Sequence, residues 1–346
     1  MSTAPARPAG SSPSATSPAA PPAAPSAPPS PPVGGSVIAP PPRWIGRAML
    51  ANLVCEIGIV VTGGLVRLTD SGLGCPTWPQ CVPGSFTPVP HQAQGYHKDI
   101  EFGNRLLIVV LTVAAVAALW AAIAYRRHTG ARRRFVWWGS APLWGIAVQA
   151  VIGGITVRSH LSAITVAAHF LPSMAIVAVS TLLYLAVRDP GYPPERGREL
   201  RGLTAGVAAL AGVILAMGTV VTGSGPHAGD AGARERFAFN PRDASWLHAD
   251  VVLLFTGLVV GLVLVARLGA TGPVTRRRTQ WLVVVTLLQG VIGYLEYATK
   301  LPMLLVVTHM LGASLLVVAV TAVGAGVFGT HGLTHHPTTR DHAQQS

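Results

Sequence analysis

The sequence is poor in charged residues and in cysteine, and each shortage excludes a class of protein. Only 11% of its 346 residues are charged, which is too few to cover the surface of a water-soluble domain of this size. Three cysteines are too few for a disulfide-rich secreted scaffold. Half of the residues are hydrophobic and the mean hydropathy is +0.48, which favours an integral membrane protein.

Acidic residues are scarcer than basic ones, and the formal net charge is +12. A strongly basic chain is a candidate for binding nucleic acid, but here the basic residues form short clusters between long apolar runs instead of one polar face. We therefore expect no nucleic-acid partner. The clusters are interpreted as topology signals in a lipid bilayer.

Apolar runs dominate the chain after a polar beginning. Residues 1–42 contain 14 of the 29 prolines, mixed with Ala and Ser, and are predicted to be a disordered tail. Because this tail lacks a signal peptide's apolar core and cleavage site, the first apolar run should remain a membrane helix. Eight runs follow, each of about 20 residues, the length that crosses the hydrocarbon core. They cover 46–66, 101–124, 136–157, 162–187, 203–223, 246–266, 280–298 and 302–328, and a polar tail covers 331–346.

The basic residues predict an orientation. The loops after the second, fourth and sixth spans together carry more than half of the 25 Lys and Arg residues. Because cytoplasmic loops hold this excess, both termini are predicted to be cytoplasmic. Cys75 and Cys81 then lie in the first external loop, where a disulfide can persist. The alternative is a pair of free loop thiols, and Cys55 falls inside an apolar run.

An internal repeat divides the spans into two sets of four. Val60–Gly64 recurs as Val220–Ser224, and Gln149–Gly153 recurs as Gln289–Gly293. Four crossings return the chain to its starting side, so the two halves are parallel repeats. The predicted fold is an all-α integral membrane protein with eight transmembrane helices as two four-helix bundles. The N-terminal half covers 43–190 and the C-terminal half covers 200–330.

Three histidines lie at a similar predicted depth near the external ends of their spans. They are His169 in the fourth span, His248 in the sixth and His309 in the eighth, and the repeat places Asn104 at the corresponding position of the second. Two imidazoles facing each other across a bundle supply the axial ligands of a haem iron. Each could instead be a hydrogen-bond partner between helices, but recurrence at equivalent positions favours haem. A zinc or copper site is less favoured because the loop cysteines lie beyond the helical imidazoles.

Charged residues near the membrane supply further candidates. Glu101 has no charged counterpart in the second half, and an ionisable group at the bilayer indicates a function. The alternative is an ion pair with Arg105, four residues later. Glu56, inside the first span, either has a function or packs against a polar partner. Arg67 and Arg158 end the first and third spans, where they could bind haem propionates or extend to the interface.

With these motifs the sequence resembles the haem A synthase family, in its actinobacterial form, over nearly all of residues 46–328. The segments that carry the resemblance are Val61–Thr69, Ser71–Cys81, Ile100–Arg105, Ala168–Phe170, Leu247–Asp250 and Thr308–Gly312. The resemblance implies oxidation of the methyl substituent of haem O to a formyl group. The product would be the haem A that cytochrome oxidases use.

The resemblance also implies roles for the candidate residues. The C-terminal half would hold a haem b cofactor between His248 and His309. The N-terminal half would hold the substrate haem, with His169 as a ligand. Glu101 would be catalytic, handling protons or stabilising positive charge as electrons leave the methyl carbon. The loop cysteines resemble a family disulfide near this site.

One position departs from the family pattern. The family's Glu-x-x-His-Arg motif has Asn104 at the histidine position here, so the first half has one evident haem ligand. The implied partners are haem O, the lipid bilayer and a membrane electron acceptor, with haem O synthase and cytochrome oxidase assembly factors as further candidates. The implied location is the plasma membrane of a bacterium.

Two other classes of protein are weighed against this interpretation. A non-catalytic membrane b-type cytochrome that accepts electrons from quinol would share the histidine pair, but it would not account for Glu101. A transporter with tandem repeats would have helices broken at mid-membrane, and the sequence has no paired proline interruption there.

Overall fold

The computed structural model describes residues 3–4, 41–190, 192–231, 233 and 236–334. Most of the predicted tail 1–42 and all of the chain after Thr334 lie outside the described residues. The helices are α1 (Arg43–Leu68), α2 (His97–Thr129), α3 (Arg133–Arg158), α4 (Ala163–Arg188), α5 (Arg198–Ser224), α6 (Pro241–Leu268), α7 (Pro273–Ala298), α8 (Met303–Phe328) and the short α9 (His331–Thr334).

Helices α1 to α8 are each long and apolar enough to cross a membrane, so the eight predicted spans are confirmed. Most of them extend beyond the predicted bounds, because polar and charged residues at their ends continue the helix past the apolar run. Large apolar side chains stay exposed on the helix surfaces, among them Trp137, Leu253 and Leu304. Such exposure is unusual in a water-soluble protein and fits contact with lipid. The chain is a multi-pass membrane protein.

A local signal in the sequence explains where α6 begins, and two other helices continue through an internal proline. Helix α6 begins at Pro241, and the Asn240 side chain before it accepts a hydrogen bond of 2.9 Å from the amide of Arg242. This is the usual chemistry of a helix start. Helices α3 and α4 continue without a break through Pro142 and Pro172, unlike the broken helices of many transporters.

The helices pack in an order that leaves two pairs diagonal to each other. Helices α1 and α3 each pack against both α2 and α4, while α5 and α7 each pack against both α6 and α8. Among the described residues, α2 is therefore diagonal to α4, and α6 is diagonal to α8. Helices α1–α4 are called the first set and α5–α8 the second set. Contacts among α1, α4, α5 and α8 join the two sets. Because the described residues from Pro41 onward belong to one compact unit, their division into two equivalent halves stays a prediction.

The loops α3–α4 and α7–α8 have the same backbone conformation. His160 and Leu161 have φ angles of 51° and 58°, and Lys300 and Leu301 have φ angles of 63° and 64°. Two successive non-glycine residues with positive φ are uncommon, so the agreement between the loops is informative. It matches the sequence repeat in these two parts of the chain.

Apolar residues beside two of the histidines meet in one cluster. Phe170 and Met310, which follow His169 and His309, both pack against a buried core formed by α1, α4 and α8. Gly64 permits this approach, because a Cβ at that position would overlap the Met310 sulfur. Gly64 of the repeated motif thus has a packing role here.

Candidate functional site

Four polar side chains lie at one end of the helix bundle. Asn104, His169, His248 and His309 are each about two turns from the first residue of α2, α4, α6 and α8. These even-numbered helices all start on the same side, because successive spans cross in opposite directions. The four side chains therefore lie at a similar distance from this end, which we call the histidine end.

A glycine of a neighbouring helix lies against each histidine ring. A Cβ on Gly153 would be 3.2 Å from His169 Cε1, and one on Gly293 would be 3.1 Å from His309 Cε1. A Cβ on Gly218 would be 3.6 Å from His248 Cε1. Any side chain at the first two glycines would crowd the imidazole, so the missing methyl groups make room for the rings.

The three imidazoles have bonding capacity that the described residues do not use. Nδ1 of His169, His248 and His309 is buried in each case and has no hydrogen-bond partner among the described residues. Buried polar atoms are normally paired, so these rings do not act as hydrogen-bond partners between helices. No group of three or more His, Cys, Asp or Glu side chains in the described part of the chain is arranged to hold a metal ion. A haem iron needs only two axial ligands, and the histidines fit that requirement.

Two glutamines of the repeated motif are bonded to the helices that carry histidines. Gln149 Nε2 donates to the carbonyl of His169 at 2.7 Å and also to the hydroxyl of Ser173. Gln289 Nε2 donates to the carbonyl of His309 at 3.1 Å. Each glutamine thereby fixes a helix turn that carries a histidine.

Glu101 and Arg105 form a buried ion pair that also holds the α1–α2 loop. Glu101 Oε1 accepts from Arg105 Nη2 at 2.6 Å and from Nε at 3.0 Å, and Glu101 Oε2 accepts from the Cys75 amide at 2.7 Å. Arg105 also donates to the carbonyls of Cys75 and Thr77 at 2.9 and 3.2 Å. The ion pair weighed as an alternative is thus present, and it anchors the α1–α2 loop.

The anchored loop contains the predicted disulfide. Cys75 and Cys81 are bonded to each other and both are fully buried, while Cys55 is free. Trp78, between the two cysteines, packs against α3 at Gly154, where a Cβ would overlap its ring. The loop is therefore folded down onto the histidine end.

Arg67 and Arg158 have different surroundings. Arg67 donates from Nε to the carbonyl of His227 and from Nη2 to the carbonyl of Thr222, both at 2.9 Å. It therefore joins the end of α1 to the end of α5 and the α5–α6 loop. Arg158 is exposed at the end of α3. Neither arginine is in the contacts that surround Glu101.

A family model described as cytochrome oxidase assembly protein, COX15-CtaA, matches residues 46–321. The match runs from α1 into α8 and contains every candidate residue of the histidine end. The chain belongs to the COX15-CtaA family.

Three curated proteins that are similar to this chain have the same name. The "Heme A synthase" of Geobacillus thermodenitrificans is 33% identical over 138 residues, which are 39% of this chain and 40% of the relative. That of Geobacillus kaustophilus (strain HTA426) is 33% identical over 151 residues, 42% of this chain and 43% of the relative. That of Lysinibacillus sphaericus (strain C3-41) is 31% identical over 96 residues, 28% and 29% of the two chains. The matched stretches thus span less than half of each relative.

In this member of the COX15-CtaA family, the two helix sets differ at the position of Asn104. Its Oδ1 is buried and has no hydrogen-bond partner among the described residues. The repeat pairs Gly58 with Gly218, but a Cβ on Gly58 would meet nothing within 4 Å, whereas Gly218 has the His248 ring against it. The first set therefore has open space where the second has an imidazole.

Sequence reasoning missed Glu296 and gave no role to the two glutamines. Glu296 Oε2 lies 3.7 Å from His309 Nδ1, near the end of α7. The signal was available, because Glu296 is an acid within a predicted span, and such acids indicate function. The glutamines were visible as part of the repeat, but a bond from a side chain to a distant carbonyl has no sequence signature.

Arg105→Ala should loosen the disulfide loop. The change removes the guanidinium that bonds to Glu101 and to the loop carbonyls, and each such bond contributes about 1–3 kcal/mol. Local opening should become at least about tenfold more frequent, since 1.4 kcal/mol is a factor of ten. The measurement is the rate at which a water-soluble phosphine reduces Cys75–Cys81 in the detergent-purified protein. Arg127→Ala, an exposed residue at the other end of α2, is the control. Equal rates in the two variants would contradict the anchoring role.

Proposed function

We propose that this protein is a haem A synthase, which oxidises the methyl substituent of haem O to a formyl group. Family membership and the names of three relatives support the proposal. The observation that carries it is the histidine pair on diagonal helices. His248 and His309 lie at one depth, and neither ring uses its buried Nδ1 in a hydrogen bond between helices among the described residues.

The reaction needs an oxygen source and an electron acceptor. Converting R–CH3 to R–CHO with water releases four protons and four electrons, so water supplies the oxygen and a membrane electron acceptor takes the electrons. A haem b held by His248 and His309 would supply one-electron transfer when bound. Two histidines that hold a haem in this way would suit electron transfer.

The N-terminal helix set is the proposed substrate site. His169 binds the iron of the substrate haem, and Asn104 leaves the other side without a second imidazole. Glu101 stabilises the positive charge that develops as electrons leave the methyl carbon. Its carboxylate suits this role because Arg105 and the Cys75 amide hold it in one orientation.

Two arginines at the histidine end are proposed to bind the haem propionates. Arg158 is exposed there and its planar guanidinium suits a carboxylate. Arg67 has two nitrogens bonded to carbonyls, which leaves Nη1 without a hydrogen bond among the described residues. Arg67 would bind a propionate only through this remaining nitrogen.

The proposed location is the plasma membrane of a bacterium, with both termini in the cytoplasm. The arginine-rich α2–α3, α4–α5 and α6–α7 loops support this orientation. The histidine end then faces outward, where the disulfide is compatible with an oxidising compartment. Haem O synthase would supply the substrate, and cytochrome oxidase assembly factors would receive the product.

Pigment analysis tests the proposed activity. Co-expression of the protein with a source of haem O should yield extractable haem A, identified by chromatography and mass spectrometry. His309→Ala should remove bound haem b, whereas His169→Ala should retain haem b and stop haem A formation. Bound haem b without any haem A in the wild type would instead indicate a non-catalytic cytochrome.

Glu101→Gln should reduce haem A formation by about 100-fold, the usual cost of losing one charge-stabilising group. Haem b content should not change, because the amide retains the shape of the side chain. Glu199→Gln is the control, since Glu199 is an exposed acid at the opposite end of the bundle. Haem A yield per bound haem b is the readout, and wild-type yield from Glu101→Gln would exclude the catalytic role.

Asn104→His should place a second imidazole in the space beside Gly58. The substrate haem would then have two strong ligands, and its iron should change to a six-coordinate, low-spin state with slower oxidation. The absorption and electron paramagnetic resonance spectra of the haem O-loaded protein report this change. Asn104→Gln is the control, and identical spectra for the two variants would show that residue 104 does not face the iron.

A further inference from the structure

The partly buried carboxylate of Glu296 lies beside one of the candidate haem ligands. Its Oε2 is 3.7 Å from His309 Nδ1, and the two side chains are 15% and 29% exposed. Glu296 is near the end of α7 and His309 is near the start of α8, so both lie at the histidine end. The short α7–α8 loop keeps these two helix ends close together.

Neither group has another polar partner among the described residues. His309 Nδ1 is buried without a hydrogen bond, and no hydrogen bond to the Glu296 carboxylate is formed within the described part of the chain. The distance of 3.7 Å is slightly longer than a hydrogen bond. A small rotation of either side chain would bring the atoms within bonding distance, and the cost of leaving the buried Nδ1 of His309 unpaired favours that rotation.

This arrangement is specific to one of the three histidines. Among His169, His248 and His309, only His309 has a carboxylate oxygen of a described residue within 4.0 Å of a ring nitrogen. The repeat pairs Glu296 with Thr156, whose hydroxyl instead donates to the carbonyls of Ile152 and Thr165 at 2.9 and 3.2 Å. His169 therefore has no acid in the corresponding place.

We propose that Glu296 accepts a hydrogen bond from Nδ1–H of His309 and lowers the reduction potential of the haem held there. This inference rests on the proposed haem site at His248 and His309. A carboxylate behind a ligating imidazole fixes the tautomer that presents Nε2 to the iron. It also makes the imidazole a stronger electron donor, which stabilises ferric over ferrous iron. Glu296 is thus a positioning residue that favours release of electrons from this haem to the membrane acceptor.

The test is a potentiometric titration of the purified, haem-loaded protein, with dithionite as reductant and ferricyanide as oxidant. Glu296→Gln should keep the low-spin spectrum of a bis-histidine haem. Its midpoint potential should rise by about 59 mV, a tenfold change in a one-electron equilibrium. Glu296→Asp should give a smaller rise, since it retains the carboxylate at shorter reach. Glu199→Gln, an exposed acid at the far end of α5, should leave the potential unchanged.

The outcomes separate this inference from the proposed function. Bound low-spin haem with the same potential in wild type and Glu296→Gln would overturn the role of Glu296 and leave the haem site intact. A wild-type protein without a bis-histidine haem would overturn the site itself. If Glu296→Gln lost its haem, retention in Glu296→Asp would support the carboxylate contact, and loss in both variants would count against it.

Discussion

Imidazole rings buried between apolar helices need partners, and the described residues do not supply them. A buried polar atom without a partner costs about 1–3 kcal/mol, so three such rings at one depth would destabilise the fold if no ligand were bound. The rings lie against glycines, and two glutamines fix the turns that carry two of them. The placement of the eight helices around these rings is most simply understood as a means of holding haem.

We propose that the two helix sets have different roles in the chemistry. In the second set, His248 and His309 are the proposed haem ligands, and Glu296 lies 3.7 Å from one of them. In the first set, Asn104 replaces one imidazole, and a buried carboxylate at Glu101 is fixed close to the site. A closed coordination sphere suits electron transfer and an open one suits reaction. The proposed roles therefore depend on the positions where the two sequences of the repeat differ. The similar depth of the histidines depends on the positions where they agree.

Much of the fold was predictable, because span length and apolar composition are local properties. The eight spans and the Cys75–Cys81 bond are confirmed by the structure, and the family assignment follows from motifs that the sequence contains. The contacts of Arg105 with the loop carbonyls were not predictable, since the path of a loop depends on tertiary packing. Glu296 was missed for a related reason: its partner lies on the next helix, and no short motif joins them. The roles of the individual site residues remain predictions.

The glycines beside the histidine rings link the distance between neighbouring helices to the position of the imidazole. At Gly153 and Gly293 the ring is in contact with the neighbouring backbone, so the separation of the two helix axes determines how far the imidazole extends from its own helix. Even alanine would push the ring outward or force the helices apart. The position of an iron bound to the ring would therefore be set by main-chain packing, and helix spacing in α3–α4 and α7–α8 would define the width of each haem slot.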